Sequence, residues 1–331
     1  MPSAKRARPM MGRRAPAPVV IHSAPLVLPM SADPVRAGAV AARGERVLAV
    51  GPRAELLTSY PAAEETRWPG LIVAGLVDAG SATPSAMPGV TARARVVADL
   101  TDPGGLPGIS YVAVTSESEE EWEERERDAV ITAIREVDRP CAVGLAVHTR
   151  DPLVLEDVAV LARTFGLRLL VDLDRHSPAA LDEAGVLGPL CHVVCARPLD
   201  PGERKLLRLR RTVVALSPAA EDVLPLLEEG NVVALCGAGP GGPLGLAAAV
   251  RRHVHGLGLR PRGLDRRLVE AATLGGARAL GMDRGKGRIG SLAPGSRADF
   301  AVYDARGRYP YSALLAEPPC LGTVVGGALA G

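Results

Sequence analysis

The chain has 331 residues, 47% of them hydrophobic and 23% charged, which is enough for one barrel-sized domain or two smaller ones. The formal net charge is +2 and both signs are mixed along the chain, which argues against nucleic acid or a membrane surface as the partner. The five cysteines are scattered, a pattern typical of reduced thiols and not of a disulfide framework: Cys141, Cys191, Cys195, Cys236 and Cys320.

Residues 1–18 are rich in Arg and Pro and show no apolar periodicity. They predict a disordered basic tail, or in part sequence upstream of a start at Met10 or Met11. The apolar run that follows is broken by His22 and Pro25, unlike a secretory signal. No stretch reaches the roughly 20 apolar residues that would cross a bilayer. We therefore expect a cytoplasmic protein.

Short β patterns separated by turns fill residues 19–70 and predict a small antiparallel sheet. The next run, GLIVAGLVDAG at 70–80, is almost wholly apolar. A strand that is buried on both faces reads this way, so this run predicts the first strand of a parallel barrel.

Strand-like and helix-like stretches then alternate, which predicts a parallel sheet or a closed β/α barrel. An acidic helix should begin at Ser116 or Ser118, with its glutamates on a solvated face. A later helix should end at Gly166, where the αL conformation of a C-cap favours glycine.

A long helix around LVEAATLGGARALG should end at Gly281, after which the β pattern returns over residues 290–331. Neither end of the chain has enough strands to bury a core alone. We therefore expect residues 19–70 and 290–331 to pair in one composite domain, with the barrel at 71–289.

Three segments resemble the amidohydrolase superfamily, in particular its imidazolonepropionase, cytosine-deaminase and aminodeoxyfutalosine-deaminase-like branch. AATLGGARALGMDRGKGRIGSLAPGSRADFAVYDA is similar to its C-terminal segment, GAVAARGERVLAVGPRAELLTSYPAAEE to its N-terminal sandwich, and GLIVAGLVDAG to its first barrel strand. The resemblance implies an α/β fold: a (β/α) barrel of the metal-dependent hydrolase type with a small composite β-sandwich. The span from Ala82 to His148 is short for two βα units, so we expect an incomplete barrel that lacks a strand-two or lid segment.

The family's reaction needs a divalent metal held by His and carboxylate groups at the carboxyl ends of the barrel strands. The matched metal positions are degenerate in this chain: Gly80, Ala82, Asp172, Cys195 and Ala238. Arg175 stands at the place of the catalytic Glu, and His148 matches the strand-four His that contacts substrate. The resemblance thus implies a substrate-binding role for His148 and Arg175.

Several readings of these residues remain open. A replacement metal site could draw on side chains near the predicted strand ends: Asp172, Cys195, Cys236, His148 and His176. Buried core packing is the simpler role for Cys195 and Cys236. The glycine string CGAGPGGPLG lacks the Lys and Ser/Thr of a phosphate loop and predicts a flexible loop. Asp78 and Asp299 match positions that are structural in the family.

These patterns favour a non-catalytic or strongly divergent member of the superfamily that acts by binding a small molecule or a partner, which would be a second copy of itself or an active relative. The alternative is an active hydrolase or deaminase with a rebuilt site, acting on the carbon–nitrogen bond of a cyclic amidine or nucleoside-like substrate. No cofactor is expected under the first hypothesis, and zinc or iron under the second. Asp172 and Cys195 are the catalytic candidates.

Overall fold

The computed structural model describes residues 17–80, 87–97, 105–136, 143–217, 223–237 and 241–330. The predicted start at Met10 or Met11 and nearly all of the predicted tail lie outside these residues. The strands are, in chain order, β1 Val19–Leu28, β2 Val35–Arg43, β3 Arg46–Pro52, β4 Glu64–Arg67, β5 Leu71–Ala74, β6 Leu76–Asp78, β7 Val90–Val97, β8 Gly108–Val114, β9 Val143–Val147, β10 Arg168–Asp172, β11 Cys191–Cys195, β12 Val213–Leu216, β13 Val233–Leu235, β14 Phe300–Tyr303, β15 Cys320–Val325 and β16 Ala328–Leu329.

The α-helices are α1 Arg53–Ser59, α2 Glu119–Glu121, α3 Arg127–Glu136, α4 Pro152–Phe165, α5 Pro178–Glu183, α6 Pro201–Arg210, α7 Val223–Glu228, α8 Gly242–Gly256, α9 Leu264–Glu270, α10 Gly276–Ala279 and α11 Pro310–Leu314. Two π-helical turns, Trp122–Glu126 and Ala271–Gly275, join α2 to α3 and α9 to α10. Within the described ranges, no helix is long and apolar enough to cross a membrane.

Strands from both chain ends form one outer sheet, in the order β16-β15-β14-β5-β1-β2-β3, with β4 paired to β1. The link between the ends is β5, which runs parallel to β1 and antiparallel to β14. The two terminal segments therefore share a sheet. Their assignment to a domain with the boundaries given above stays a prediction.

The other eight strands, β6 to β13, lie in chain order and are parallel, forming a nearly closed barrel. Its two edge strands meet where the Ala79 amide donates to the Leu235 carbonyl at 3.4 Å. Both β7 and β8 are present, so the expectation of a missing strand two, one of the two alternatives for this span, was wrong. The described residues of the connections after β6 and after β7 form no helix, and residues 81–86 and 98–104 of these connections lie outside the described ranges.

The apolar run at 70–80 divides at Gly75, and this corrects the prediction of a single barrel strand. Leu71–Ala74 belongs to the outer sheet, and Leu76–Asp78 begins the barrel. A Cβ at Gly75 would lie 2.0 Å from Oγ1 of Thr91, so the chain crosses between the sheets at a point where a side chain would collide with β7. Both halves are buried, and for this reason the run reads as one strand.

Side chains alternate along the barrel strands between the interior and the layer under the helices. The interior cluster joins residues of β6 to β10 with residues of the family-like C-terminal segment: Val77, Ala92, Ala94, Ile109, Tyr111, Ala146, Leu170, Ala277, Leu280 and Ile289. The C-terminal segment thus closes the barrel floor. Gly275 and Gly276 allow this segment to approach the two edge strands of the barrel. A Cβ at Gly275 would lie 2.1 Å from the carbonyl oxygen of Val233, and a Cβ at Gly276 would lie 2.4 Å from that of Val77.

Candidate functional site

The strand alternation places His148 and Asp172 at the carboxyl end of the barrel, on its inner face. Ala146 and Leu170 pack in the interior, and His148 and Asp172 each follow one of them by two residues. The His148 ring is half-buried. Burial, followed by the nearby Arg175 guanidinium, lowers the pKa of His148 below its ordinary value. A neutral imidazole therefore faces this end of the barrel, which we call the mouth.

Arg175 and Asp172 form an ion pair beside His148, with Nε of Arg175 3.9 Å from Oδ2 of Asp172. The side chains are 54% and 41% exposed, so the pair is loose and open to solvent. Asp172 Oδ1 also accepts from the amide of Asp174 at 2.9 Å. The predicted contacts His148 and Arg175 and the candidate Asp172 therefore lie together at the mouth. Their ligand-binding roles stay predictions.

His176 is engaged by the backbone of two loops. Its Nδ1 lies 3.0 Å from the carbonyl oxygen of Asp172, and its Nε2 lies 2.6 Å from that of Thr149. The ring therefore ties the loop after β10 to the loop after β9. Because both nitrogens face carbonyl oxygens, neither is directed at a metal position.

The structure places the Cys195 thiol away from the mouth group. Cys195 lies on the same face of β11 as Cys191 and Val193, which pack in the cluster beneath the helices, whereas Val194 packs inward. Its Sγ donates to the carbonyl of Arg197 at 3.0 Å, and burial raises its pKa to about 11. A buried, protonated thiol on the outer side of the strand is a poor nucleophile or metal ligand. This corrects the grouping of Cys195 with Asp172 as a candidate.

Gly80, which the resemblance matches to the family's first metal ligand, lies at the seam where the first and last barrel strands meet. A Cβ at Gly80 would lie 2.8 Å from Cβ of Cys236 and 3.0 Å from its Sγ. Beside them, Oδ1 of Asp78 accepts from the amides of Gly80 at 2.9 Å and Gly237 at 2.7 Å. One carboxylate oxygen thus joins the first strand to the last, in accordance with a structural role for Asp78. Asp299 is likewise buried and bonded, to Arg297 and to the amide of Gly326.

Two features of this region were not predicted from the sequence. Glu126 accepts hydrogen bonds from the amides and hydroxyls of both Thr115 and Ser116, and so anchors the end of β8. Inside the barrel, Nδ1 of His192 lies 3.4 Å from the Tyr111 hydroxyl, and its Nε2 lies 3.2 Å from the Ala79 carbonyl oxygen. Burial lowers the pKa of His192 to about 3, which keeps it neutral.

The described residues do not fit a zinc or iron centre. A catalytic zinc ion takes three protein ligands, and no three His, Cys, Asp or Glu side chains within the described ranges approach closely enough to hold a metal. The side chain of Cys236 packs against Gly80, and both ring nitrogens of His176 face carbonyl oxygens. Ala82 and Ala238 lie outside the described residues, and alanine supplies no side-chain ligand.

A family model for the amidohydrolase family matches residues 122–329. A second model, the imidazolonepropionase-like composite domain of bacteria, matches residues 38–63. No curated protein matches the chain.

Solved structures with the same fold share little sequence identity with this chain. An adenosine deaminase from Xanthomonas campestris with bound zinc is 17% identical, with a TM-score of 0.75 over 95% of this chain and 93% of that chain. Aminofutalosine deaminase from Helicobacter pylori is 14% identical, with a TM-score of 0.75 over 95% and 100%. Atrazine chlorohydrolase from Arthrobacter aurescens, complexed with zinc, is 15% identical, with a TM-score of 0.73 over 94% of each chain.

These likenesses show the fold alone. The barrel with its separate sheet is the architecture that the resemblance implied, and the family model spans more than half of the residues. The chain therefore belongs to the amidohydrolase family.

Proposed function

We propose that this protein binds a small polar ligand at the barrel mouth and does not use a metal to hydrolyse it. The observation that carries the proposal is the contact between Gly80 and Cys236. Where the resemblance places the first metal ligand, any side chain would collide with the last barrel strand.

The mouth residues support binding better than proton transfer. Arg175 stands at the place of the family's acid/base Glu, and a guanidinium stays charged and cannot shuttle a proton near neutral pH. Together with Asp172 and the neutral imidazole of His148, it offers a donor, an acceptor and a group that can act as either. Such a set suits a ligand with both donor and acceptor edges, for example a nucleoside-like or imidazolone-like ring.

The test is elemental analysis of protein that was expressed in medium supplemented with zinc and iron, beside deaminase and hydrolase assays on adenine nucleosides and imidazolone compounds. We expect well below one metal per chain and no turnover. About one tightly bound metal per chain, with turnover abolished by Asp172→Ala, would instead establish the active hydrolase or deaminase.

The binding half of the proposal is tested by calorimetric titration with the same compounds. Arg175→Gln and His148→Ala should each weaken the binding of a compound that the unaltered protein takes up, whereas Arg135→Gln on α3 should leave its affinity unchanged. Equal affinities for all these variants would place the ligand elsewhere.

A further inference from the structure

A cleft of about 320 Å³ lies between the end of α8, the start of α9 and α11. We call it the α8–α11 cleft; its lining includes Arg260, Asp265, Arg266, Tyr309, Tyr311 and Ser312. Its volume is at the small end of the range for ligand pockets, about 300–1,000 Å³.

The cleft is remote from the barrel mouth. α8 begins just after β13, at the carboxyl end of the barrel, and its 15 residues return toward the opposite end. A helix of this length spans about 22 Å. A ligand in the cleft would therefore not touch His148, Asp172 or Arg175.

Cationic groups outnumber the acidic ones in the cleft wall. Asp265, the acidic residue in the lining, is paired with Arg251, whose Nε lies 2.9 Å from Oδ1. Arg251 also donates to Oγ of Ser312 at 2.7 Å. Arg251, which lies outside the lining, thereby neutralises the charge of Asp265. The guanidinium groups of Arg260 and Arg266 leave the cleft electropositive.

The two arginines differ in how firmly they are held. Nη1 of Arg260 donates to the carbonyls of His255 and Leu259, each at 2.8 Å, which fixes the guanidinium at the end of α8. The Arg266 side chain is 51% exposed, and its Nη1 lies 3.9 Å from Oδ1 of Asp33. Asp33 is itself 92% exposed, so an anion in the cleft can replace it at little cost.

An aromatic surface completes the cleft. Tyr309 is 69% exposed, in a chain with only 3% aromatic residues, and Arg308 lies 5.8 Å from its ring centroid. Half-buried Tyr311 also lines the cleft. Planar ligands stack on such rings, and the adjacent cation strengthens the contact.

We propose that the α8–α11 cleft binds a small aryl or heteroaryl phosphate monoester, with the phosphate held by Arg260 and Arg266 and the ring against Tyr309. Guanidinium groups form charge-assisted, bidentate hydrogen bonds with phosphate oxygens. This site is independent of the function proposed for the mouth.

The test is calorimetric titration of the full-length protein at fixed ionic strength with phenyl phosphate, inorganic phosphate and phenol as probes. Phenyl phosphate should bind at least ~10-fold more tightly than either fragment, because only it engages both the guanidinium groups and the ring. Arg266→Gln and Tyr309→Leu should each weaken it by ~10-fold. Arg262→Gln, which removes an equal charge from an exposed residue outside the lining, should change the affinity less than ~2-fold.

Three results would overturn the proposal. No binding of phenyl phosphate would do so, as would inorganic phosphate that binds equally well. The third is an equal loss in the Arg262→Gln and Arg266→Gln variants, which would show a diffuse effect of surface charge.

Discussion

Gly80 and Cys236 occupy a space that two side chains cannot share. The Cβ positions would be 2.8 Å apart, closer than van der Waals contact allows, and the Asp78 carboxylate holds both strands in place. The absence of a side chain at position 80 is therefore part of how this barrel closes.

Gly80→Ala should lower the free energy of unfolding by about 1–3 kcal/mol, as is usual for overpacking a tight interior. Urea denaturation followed by circular dichroism would measure it. Gly188→Ala is the matched control, since a Cβ there meets nothing within 4 Å. Adding Cys236→Gly to Gly80→Ala should recover part of the loss. If the two alanine variants are equally stable, the contact is not as tight as described.

Single residues show where sequence reasoning succeeds and where it stops. The structural role of Asp78 could be inferred from a matched motif. The outward direction of Cys195 could not, because a shift of one residue in strand register reverses the face of every side chain. The role of His192 was not predicted, although its strand alternates. Its partners are distant in sequence, Tyr111 on β8 and Ala79 just after β6, and only the folded barrel brings them together.

At the scale of elements, the acidic stretch after β8 has two faces. Its early glutamates are exposed, as a solvated helix face predicts. The π turn at Trp122–Glu126 then adds a residue to the helical repeat, and Glu126 turns toward the end of β8. Sequence periodicity assumes a regular helix, so it could not separate Glu126 from its neighbours.

Glu126→Ala should release the amides of Thr115 and Ser116, which then exchange with solvent faster. The carboxylate accepts from both amides and both hydroxyls, and such charged hydrogen bonds are each worth about 1.5–3 kcal/mol. Hydrogen exchange at these two amides is the measurement. Glu123→Ala, an exposed glutamate of the same turn, should leave their exchange rates unchanged. Identical exchange in both variants would contradict the anchoring role.

For the whole molecule, alternation of strands and helices predicted a parallel sheet or a closed barrel, and the family resemblance implied the barrel with its composite neighbour. The division of the run at Gly75 was not predictable, because both halves are buried and the collision with Thr91 exists only in three dimensions. The short span before His148 predicted the loss of strand two or of a lid segment, whereas all eight strands are present.

The outer sheet should make the molecule sensitive to acid. His22 is buried against Trp68 and Phe300, and burial lowers its pKa from 6.5 to about 4. The unfolded chain therefore takes up the proton first, and up to roughly 3 kcal/mol of unfolding free energy is lost as the pH falls from 6.5 to 4. The hydrogen bond with Arg53 lowers the pKa of Glu65 from 4.5 to about 2. Glu65 therefore adds a further loss of unfolding free energy as the pH falls from 4.5 to 2.

Denaturation at several pH values, followed by Trp fluorescence, would measure this dependence. His22→Leu should make the curve less steep between pH 6.5 and 4, where buried His192 still contributes, and should leave the Glu65-dependent loss at lower pH. An unchanged slope in that variant would mean that His22 is not the group responsible.

The seam between Gly80 and Cys236 also constrains the order in which mutations could introduce a histidine at position 80. A histidine introduced at position 80 meets the last strand while Cys236 is present, so that substitution alone damages the fold before it can offer a ligand. A change at position 236 has to come first, although by itself it brings no activity. A histidine at position 80 is therefore reached through an intermediate without functional gain, and directed evolution would have to vary both positions together.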